Sequence, residues 1–323
     1  MKICIVGAGA IGGYIGGKLA LAGADVTLIA RGAHLAAIQQ HGLTIIESDG
    51  RRQTVRPALA TANMAEVGPH DLVIVAVKAH SLPPIATDLR ALYGPETVVL
   101  TAQNGIPWWY FYGQGGPHEG QIIQAVDPGG VIAANTEIAR VVGGVVYIAA
   151  EIGAPGVILH SEANRLTLGE PDGSKSARVE RIAQLLIQAG LRAPIRSNIR
   201  DEIWVKLWGN LSFNPISALT RATLNRICFN PHTRALAAAM MAEAQTVGEA
   251  VGARFGISIE QRIKAAEEVG AHKTSMLQDI EAGRPTELDA LLGSVIELGR
   301  LVGVQMPNCA AVYACVKLLD ERP

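Results

Sequence analysis

The stretch KICIVGAGAIGGYIGGKLALAGADVTLIAR, residues 2–31, decides the fold. Lys2–Val6 is a short apolar run ending at a glycine, the pattern of a buried parallel strand. Ala10–Ala22 reads as a small-residue helix closed by Gly23, and Asp25–Ala30 as a second strand. Between the first strand and the helix, Gly7-Ala8-Gly9-Ala10-Ile11-Gly12 follows the spacing GxGxxG in the context that gives that spacing meaning. Gly7 permits the tight turn out of the strand, Gly9 lets the backbone approach a pyrophosphate, and Gly12 lets the helix pack close to the strand. The phosphates then lie at the positive end of the helix dipole. The plainer alternative is a strand–helix turn that binds nothing; correctly spaced glycines flanked by two strands argue against it. Enzymes that take NAD place Asp or Glu about 20 residues beyond the glycines, on the ribose 2′-hydroxyl. Ala30-Arg31 stands there instead. A guanidinium matches a 2′-phosphate in charge and fork geometry, so the expected cofactor is NADP(H).

Outward from this unit the alternation continues. Leu43–Glu47 and Gln53–Arg56 flank Asp49-Gly50, a hairpin signal. Asp71–Val77 and Thr97–Thr101 are apolar strands, with a helix expected over Ser81–Tyr93, entered through Pro83-Pro84. Val131–Ala133, Val145–Ala149, Gly156–His160 and Leu166–Leu168 read as short strands that finish the sheet, followed by a helix over Ala177–Ala189 and a last strand at Ala193–Arg196. Beyond Ser197 the strand signals nearly vanish. Ile199–Leu211, Pro231–Gly252, Ser258–Val269, Ser275–Ala282 and Asp289–Val302 carry helical periodicity. The expected architecture is α/β: an N-terminal Rossmann-type dinucleotide-binding domain over 1–197, then an all-α domain over 198–323.

A chain of 323 residues suits two domains at roughly 150 residues each. A formal net charge of −1 supplies no basic field, which excludes nucleic acid as the expected partner. Cys4, Cys228, Cys309 and Cys315 show neither paired spacing nor histidines at metal-ligand spacing, so neither a disulfide framework nor a metal site is expected. The N-terminal apolar run is interrupted by glycines from Gly7 to Gly17, unlike a signal peptide, and no run of about eighteen apolar residues suggests a membrane span. A cytoplasmic location is the default.

Two polar clusters carry the chemistry. In DEIWVKLWGNLSFNP, residues 201–215, Lys206, Asn210 and Asn214 fall at i, i+4 and i+8, one face of a helix. Trp204 and Trp208 nearby suggest a partly desolvated amine, which gives up a proton more readily. The amides can donate to and accept from a substrate carbonyl or hydroxyl. The competing reading is a solvated lysine face and a helix that ends at Pro215. In KTSMLQDIEAGRPTELD, residues 273–289, Thr274 or Ser275 caps the helix that follows, and Glu287 is either a first-turn acid or a carboxylate that orients an ammonium. Pro107-Trp108-Trp109-Tyr110 is a bulky cluster that either lines a site or fills core.

Taken together, GAGAIG at 7–12, Arg31, VKAH at 77–80, QNG at 103–105, EIWVKLWGNLSFNP at 202–215 and KTSMLQDIEAGRPTELD at 273–289 resemble the ketopantoate reductase family over nearly the whole chain. The resemblance implies NADPH-dependent reduction of 2-dehydropantoate in pantothenate biosynthesis, at a cleft between the two domains. It makes Lys206 the general acid and Glu287 its partner in catalysis. Asn210, Asn214 and Ser275 become substrate contacts, and Lys78 and Asn104 cofactor-side positions at strand ends; Ala150 is counted with these. Asn225 is a loose match to a further site asparagine. Family members are often dimeric through the helical domain, where the apolar stretch Ala235–Met241 either serves that contact or is core. The aromatic residues after Gly105 keep open a bulkier 2-oxo acid as substrate. An NADP-binding sensor without turnover is the reading from a different class, and it needs only the glycine loop and Arg31.

Overall fold

Burial on both faces explains why the N-terminal strands are apolar throughout. In the computed structural model, which describes Met1–Glu321, the first unit comprises Met1–Gln103, Trp109–Gln121 and Gly130–Ile199. Its elements are β1 (Lys2–Val6), α1 (Ala10–Leu21), β2 (Asp25–Ile29), α2 (Gly32–His41), β3 (Leu43–Ile46), β4 (Arg52–Val55), β5 (Leu59–Thr61), β6 (His70–Val75), β7 (Tyr93–Thr101), α3 (Val131–Asn135), β8 (Val141–Ala154), β9 (Val157–Gly169) and α4 (Ala177–Gln188). The strands form one nine-stranded sheet in the order β4-β3-β9-β8-β7-β6-β1-β2-β5. β1 runs parallel to both β2 and β6, so Ile3, Cys4, Ile5 and Val6 are fully buried between neighbours. Only β3–β4 and β8–β9 pair antiparallel. The parallel sheet and crossover helix α1 are those expected of a dinucleotide-binding domain.

Several local expectations need correction. Ser81–Tyr93 is not one helix but a series of 3₁₀ turns, Ala79–Ser81, Pro83–Ile85 and Asp88–Leu92. Two successive prolines withhold N–H donors from an α ladder there. Val131–Ala133 belongs to helix α3, entered through Gly129 and Gly130 at φ +69° and +71°; so short an apolar run has no periodicity to separate strand from helix. The other short runs are pieces of the two long strands β8 and β9, whose burial is interrupted at the exposed residues 151–154 and 161–163. Ala193–Arg196 forms no strand, only a bridge from Ile195 to Leu168.

The second unit comprises Asn104–Trp108, Ile122–Gly129 and the chain from Arg200 onward. It holds α5 (Ile199–Thr220), α6 (Leu224–Phe229), α7 (Pro231–Ala250), α8 (Ile259–Glu268), α9 (Ser275–Glu281), a π-helical turn (Asp289–Gly293) running into α10 (Ser294–Leu301), and α11 (Pro307–Asp320). α5 does not stop at Pro215 but continues to Thr220. A mid-helix proline costs roughly 3 kcal/mol; burial of Phe213, Ile216 and Ala218, all at most 2% exposed, offsets it. Trp204 and Trp208 are fully buried around Phe255, and the Trp208 indole donates to the Met241 carbonyl at 2.8 Å. Within Ala235–Met241, residues Ala237, Met240 and Met241 are core. Among the described residues, no helix is long and apolar enough to cross a membrane.

Candidate active site

The glycine loop separates its tasks residue by residue. Gly7 has φ +95°, and a Cβ there would lie 2.6 Å from Val77. A Cβ on Gly12 would lie 2.2 Å from the Gly7 carbonyl oxygen, so α1 can approach β1 only because this position is bare. A Cβ on Gly9, in contrast, would meet nothing within 4 Å. No packing constraint demands glycine at Gly9, and the bare backbone there is compatible with the close approach of a dinucleotide pyrophosphate. Gly7 and Ala8 N–H groups donate to the Ile29 carbonyl, tying the loop to the end of β2. The N–H groups of Ala10, Ile11 and Gly12 open α1 with no side-chain cap. Arg31, just beyond β2, is exposed and makes no hydrogen bond through its side chain among the described residues. Its neighbour His34 accepts from Gly156 N–H at 3.0 Å, and burial pushes its imidazole below the usual histidine range.

In the second unit, three distant segments meet. The Lys206 ammonium on α5 donates to Asn104 Oδ1 at 2.6 Å, and Asn104 Nδ2 donates to Glu287 Oε2 at 3.3 Å. The opposed donor and acceptor fix which way the amide faces. Asn104, expected on the cofactor side, therefore bridges the lysine and the glutamate. Gly105 makes this possible: it has φ +87°, and a Cβ on it would lie 2.3 Å from the Ala290 carbonyl oxygen. Ile106 N–H donates to that same oxygen at 3.2 Å.

Further along α5, Asn214 is buried and its Nδ2 donates to Ser275 Oγ at 3.5 Å. Thr274, not Ser275, caps α9, accepting from Leu277 N–H at 3.3 Å, so the Ser275 hydroxyl is released from that task. Asn210 is half-buried one turn from Lys206. The tryptophans do not surround the lysine: at two residues to either side they occupy the opposite face of α5. Trp108, Trp109, Tyr110 and Phe111 are all at most 4% exposed, and the Trp109 indole donates to Thr101 Oγ1 at 3.0 Å. Their burial agrees with the reading of this cluster as core. Lys78 follows β6 and is half-buried. Ala150 lies in β8 opposite His160, packed on the sheet core. Asn225 spends its side chain at the start of α6, accepting from Thr223 Oγ1 and Arg226 N–H at 2.7 and 2.9 Å.

A parallel sheet with a dinucleotide loop, joined in one chain to a helical unit carrying a lysine–amide–carboxylate series, defines a pyridine-nucleotide-dependent oxidoreductase. Family-level comparison matches residues 3–173 to "Ketopantoate reductase PanE/ApbA" and residues 198–320 to "Ketopantoate reductase PanE/ApbA C terminal". The chain is 56% identical to a 2-dehydropantoate 2-reductase of Mesorhizobium japonicum over 99% of its length and 98% of the relative's. It superposes on a crystal structure from Ralstonia solanacearum MolK2, assigned to the ketopantoate reductases, with TM-score 0.94 and 46% identity, covering 98% of this chain and 97% of that one. A more distant structure, D-mandelate dehydrogenase with NADH and anilino(oxo)acetate, is 25% identical with TM-score 0.85 and covers 99% of this chain and 98% of that one. The chain belongs to the ketopantoate reductase family.

Proposed function

We propose that the protein reduces the ketone of 2-dehydropantoate to the alcohol of pantoate at the expense of NADPH, with Lys206 as general acid. The observation that carries this reading is the hydrogen-bonded series Lys206–Asn104–Glu287. When bound, the reduced nicotinamide supplies the hydride. Gly7, Ala8, Gly9, Ala10, Ile11 and Gly12 hold the pyrophosphate, Arg31 the 2′-phosphate, and Lys78 belongs to the cofactor's side. Asn210, Asn214 and Ser275 hold the substrate's polar groups. As the ketone carbon gains hydride, its oxygen gains the electron pair of the C=O π bond and becomes an alkoxide. Lys206 Nζ stabilises that charge and gives the proton that completes the hydroxyl, leaving a neutral amine. Glu287, one amide away, compensates the ammonium's charge before transfer, and Asn104 keeps Nζ aimed.

NADPH oxidation with a panel of 2-oxo acids tests the proposal. Turnover should be fastest with 2-dehydropantoate; turnover with none of the acids sinks it and promotes the sensor reading. A homodimer and a cytoplasmic location belong to the same proposal, and sedimentation at micromolar concentration checks the first.

A further inference from the structure

The segment that carries Glu287 is gripped by one face of one helix. Tyr313, Lys317 and Asp320 stand at i, i+4 and i+7 on α11, a single stripe. The Asp320 carboxylate accepts from the Thr286 hydroxyl at 2.8 Å and from the Thr286 backbone N–H at 3.4 Å to each oxygen. Thr286 is only 6% exposed, and its bond to the half-buried Asp320 carboxylate is charge-assisted. The same hydroxyl accepts from Leu288 N–H at 3.4 Å, in the first turn after Glu287. Two residues beyond Glu287, Asp289 Oδ1 accepts from the Tyr313 hydroxyl at 2.6 Å, and the Lys317 ammonium reaches both Asp289 oxygens at 2.9 and 3.2 Å. Glu287 therefore sits between two residues, each tied to α11.

The grip extends to Asn104. Asp289 opens the π-helical turn, in which Ser294 N–H donates back to the Asp289 carbonyl. Single π turns recur at functional sites, where they displace the backbone by one residue. Here the turn presents the Ala290 carbonyl on which Gly105 and Ile106 rest. The π-helical turn thus bears on Asn104 as well as on Glu287.

We propose that Asp320, with Tyr313 and Lys317, is the positioning device of the reduction site. α11 fixes Thr286 and Asp289, and through them the place where the Glu287 carboxylate and the Asn104 amide meet the lysine. The proposal rests on the roles of Lys206 and Glu287 given above. None of the α11 residues acts on substrate; they act through Glu287.

Asp320→Asn keeps the side-chain size and removes the charge, while Thr286→Val removes the hydroxyl at nearly constant shape. Each should lower kcat/KM for 2-dehydropantoate about 10-fold, a fraction of the roughly 100-fold that a 1 Å misplacement remote from the reacting atoms can cost. NADPH affinity, read by fluorescence titration of the full-length protein, should be unchanged, the pH profile of kcat/KM should move, and Asp320→Glu should recover part of the loss. In a Glu287→Gln background, Asp320→Asn should add less than about twofold, because the group it positions is gone. Losses that simply multiply in the double variant overturn the proposal, as does wild-type kcat/KM in Asp320→Asn and Thr286→Val while Glu287→Gln is impaired. Wild-type kcat/KM in Glu287→Gln overturns the site reading itself, and the positioning proposal falls with it. If Asp320→Asn is too unstable to assay, Thr286→Val decides alone.

Discussion

The glycine loop and the lysine cluster are built on opposite principles. Between Lys2 and Gly12 the loop is local, and it works through backbone groups and missing side chains. Lys206, Asn104 and Glu287 come from segments 102 and 183 positions apart, and the cluster works through side chains that only the fold brings together. A site made of backbone can be read from spacing. A site made of side chains shows its members in the sequence but not their partners.

Substitutions can break this contrast or sharpen it. The largest effect is expected at the cluster: Lys206→Ala should lower kcat about 100-fold or more, the scale of losing a general acid, and leave NADPH binding in place. Steady-state and titration data on one preparation check both halves. Weakened NADPH binding with intact turnover would reverse the assignment of tasks. Next, Arg31→Ala should weaken NADPH binding by roughly tenfold or more, the value of a charge-assisted hydrogen bond, with NADH binding and saturated kcat little changed. Equal losses for both cofactors would mean that Arg31 does not read the 2′-phosphate.

The smallest effect concerns the clasp behind the loop. Glu47, 9% exposed, accepts from Lys18 on α1 at 3.0 Å and from His160 on β9 at 2.7 Å, beneath a Tyr14–His160 ring stack. Burial pushes its carboxyl up, but the hydrogen bonds and charges of Lys18 and His160 outweigh this and hold it below the usual carboxylate value. A depressed carboxylate adds stability above the unfolded-state value and loses it as pH falls through the folded-state value. Glu47→Gln should therefore lower Tm by about 2–4 °C at pH 7, corresponding to about 1 kcal/mol. That difference should close as pH drops below the ordinary carboxylate range; thermal melts across pH, showing a constant gap, would count against the clasp.

What was legible follows the same division. β1, α1 and β2 were readable because burial on both sheet faces and three bare positions each leave a mark in the residue pattern. The Lys206–Asn210–Asn214 stripe was readable from helical spacing. The tryptophans lie close to the lysine in sequence but on the opposite face of α5, because two residues along a helix make slightly more than half a turn. The bridging role of Asn104 was hidden, since only the π turn at Ala290 brings Gly105 and its neighbour to the cluster. Thr286 and Asp320 left no signal: their tie joins a loop to a helix that no apolar period announced. The 3₁₀ series at 79–92 leaves no distinct mark, because consecutive prolines suit a helix start in the sequence yet withhold the N–H donors an α ladder needs.

The interrupted course of the second unit has a consequence for recombination. Asn104–Trp108 and Ile122–Gly129 belong to it although they are encoded within the first half of the chain. Glu297 of α10 holds the backbone N–H groups of Gln124 and Ala125 at 2.7 and 2.8 Å, so this debt to the earlier sequence is also structural. A crossover near residue 197 between two relatives would join the lysine and glutamate of one parent to the asparagine of the other. The halves are inherited as interleaved text, and a hybrid made by a single cut begins with a mismatched page inside the Lys206–Asn104–Glu287 series.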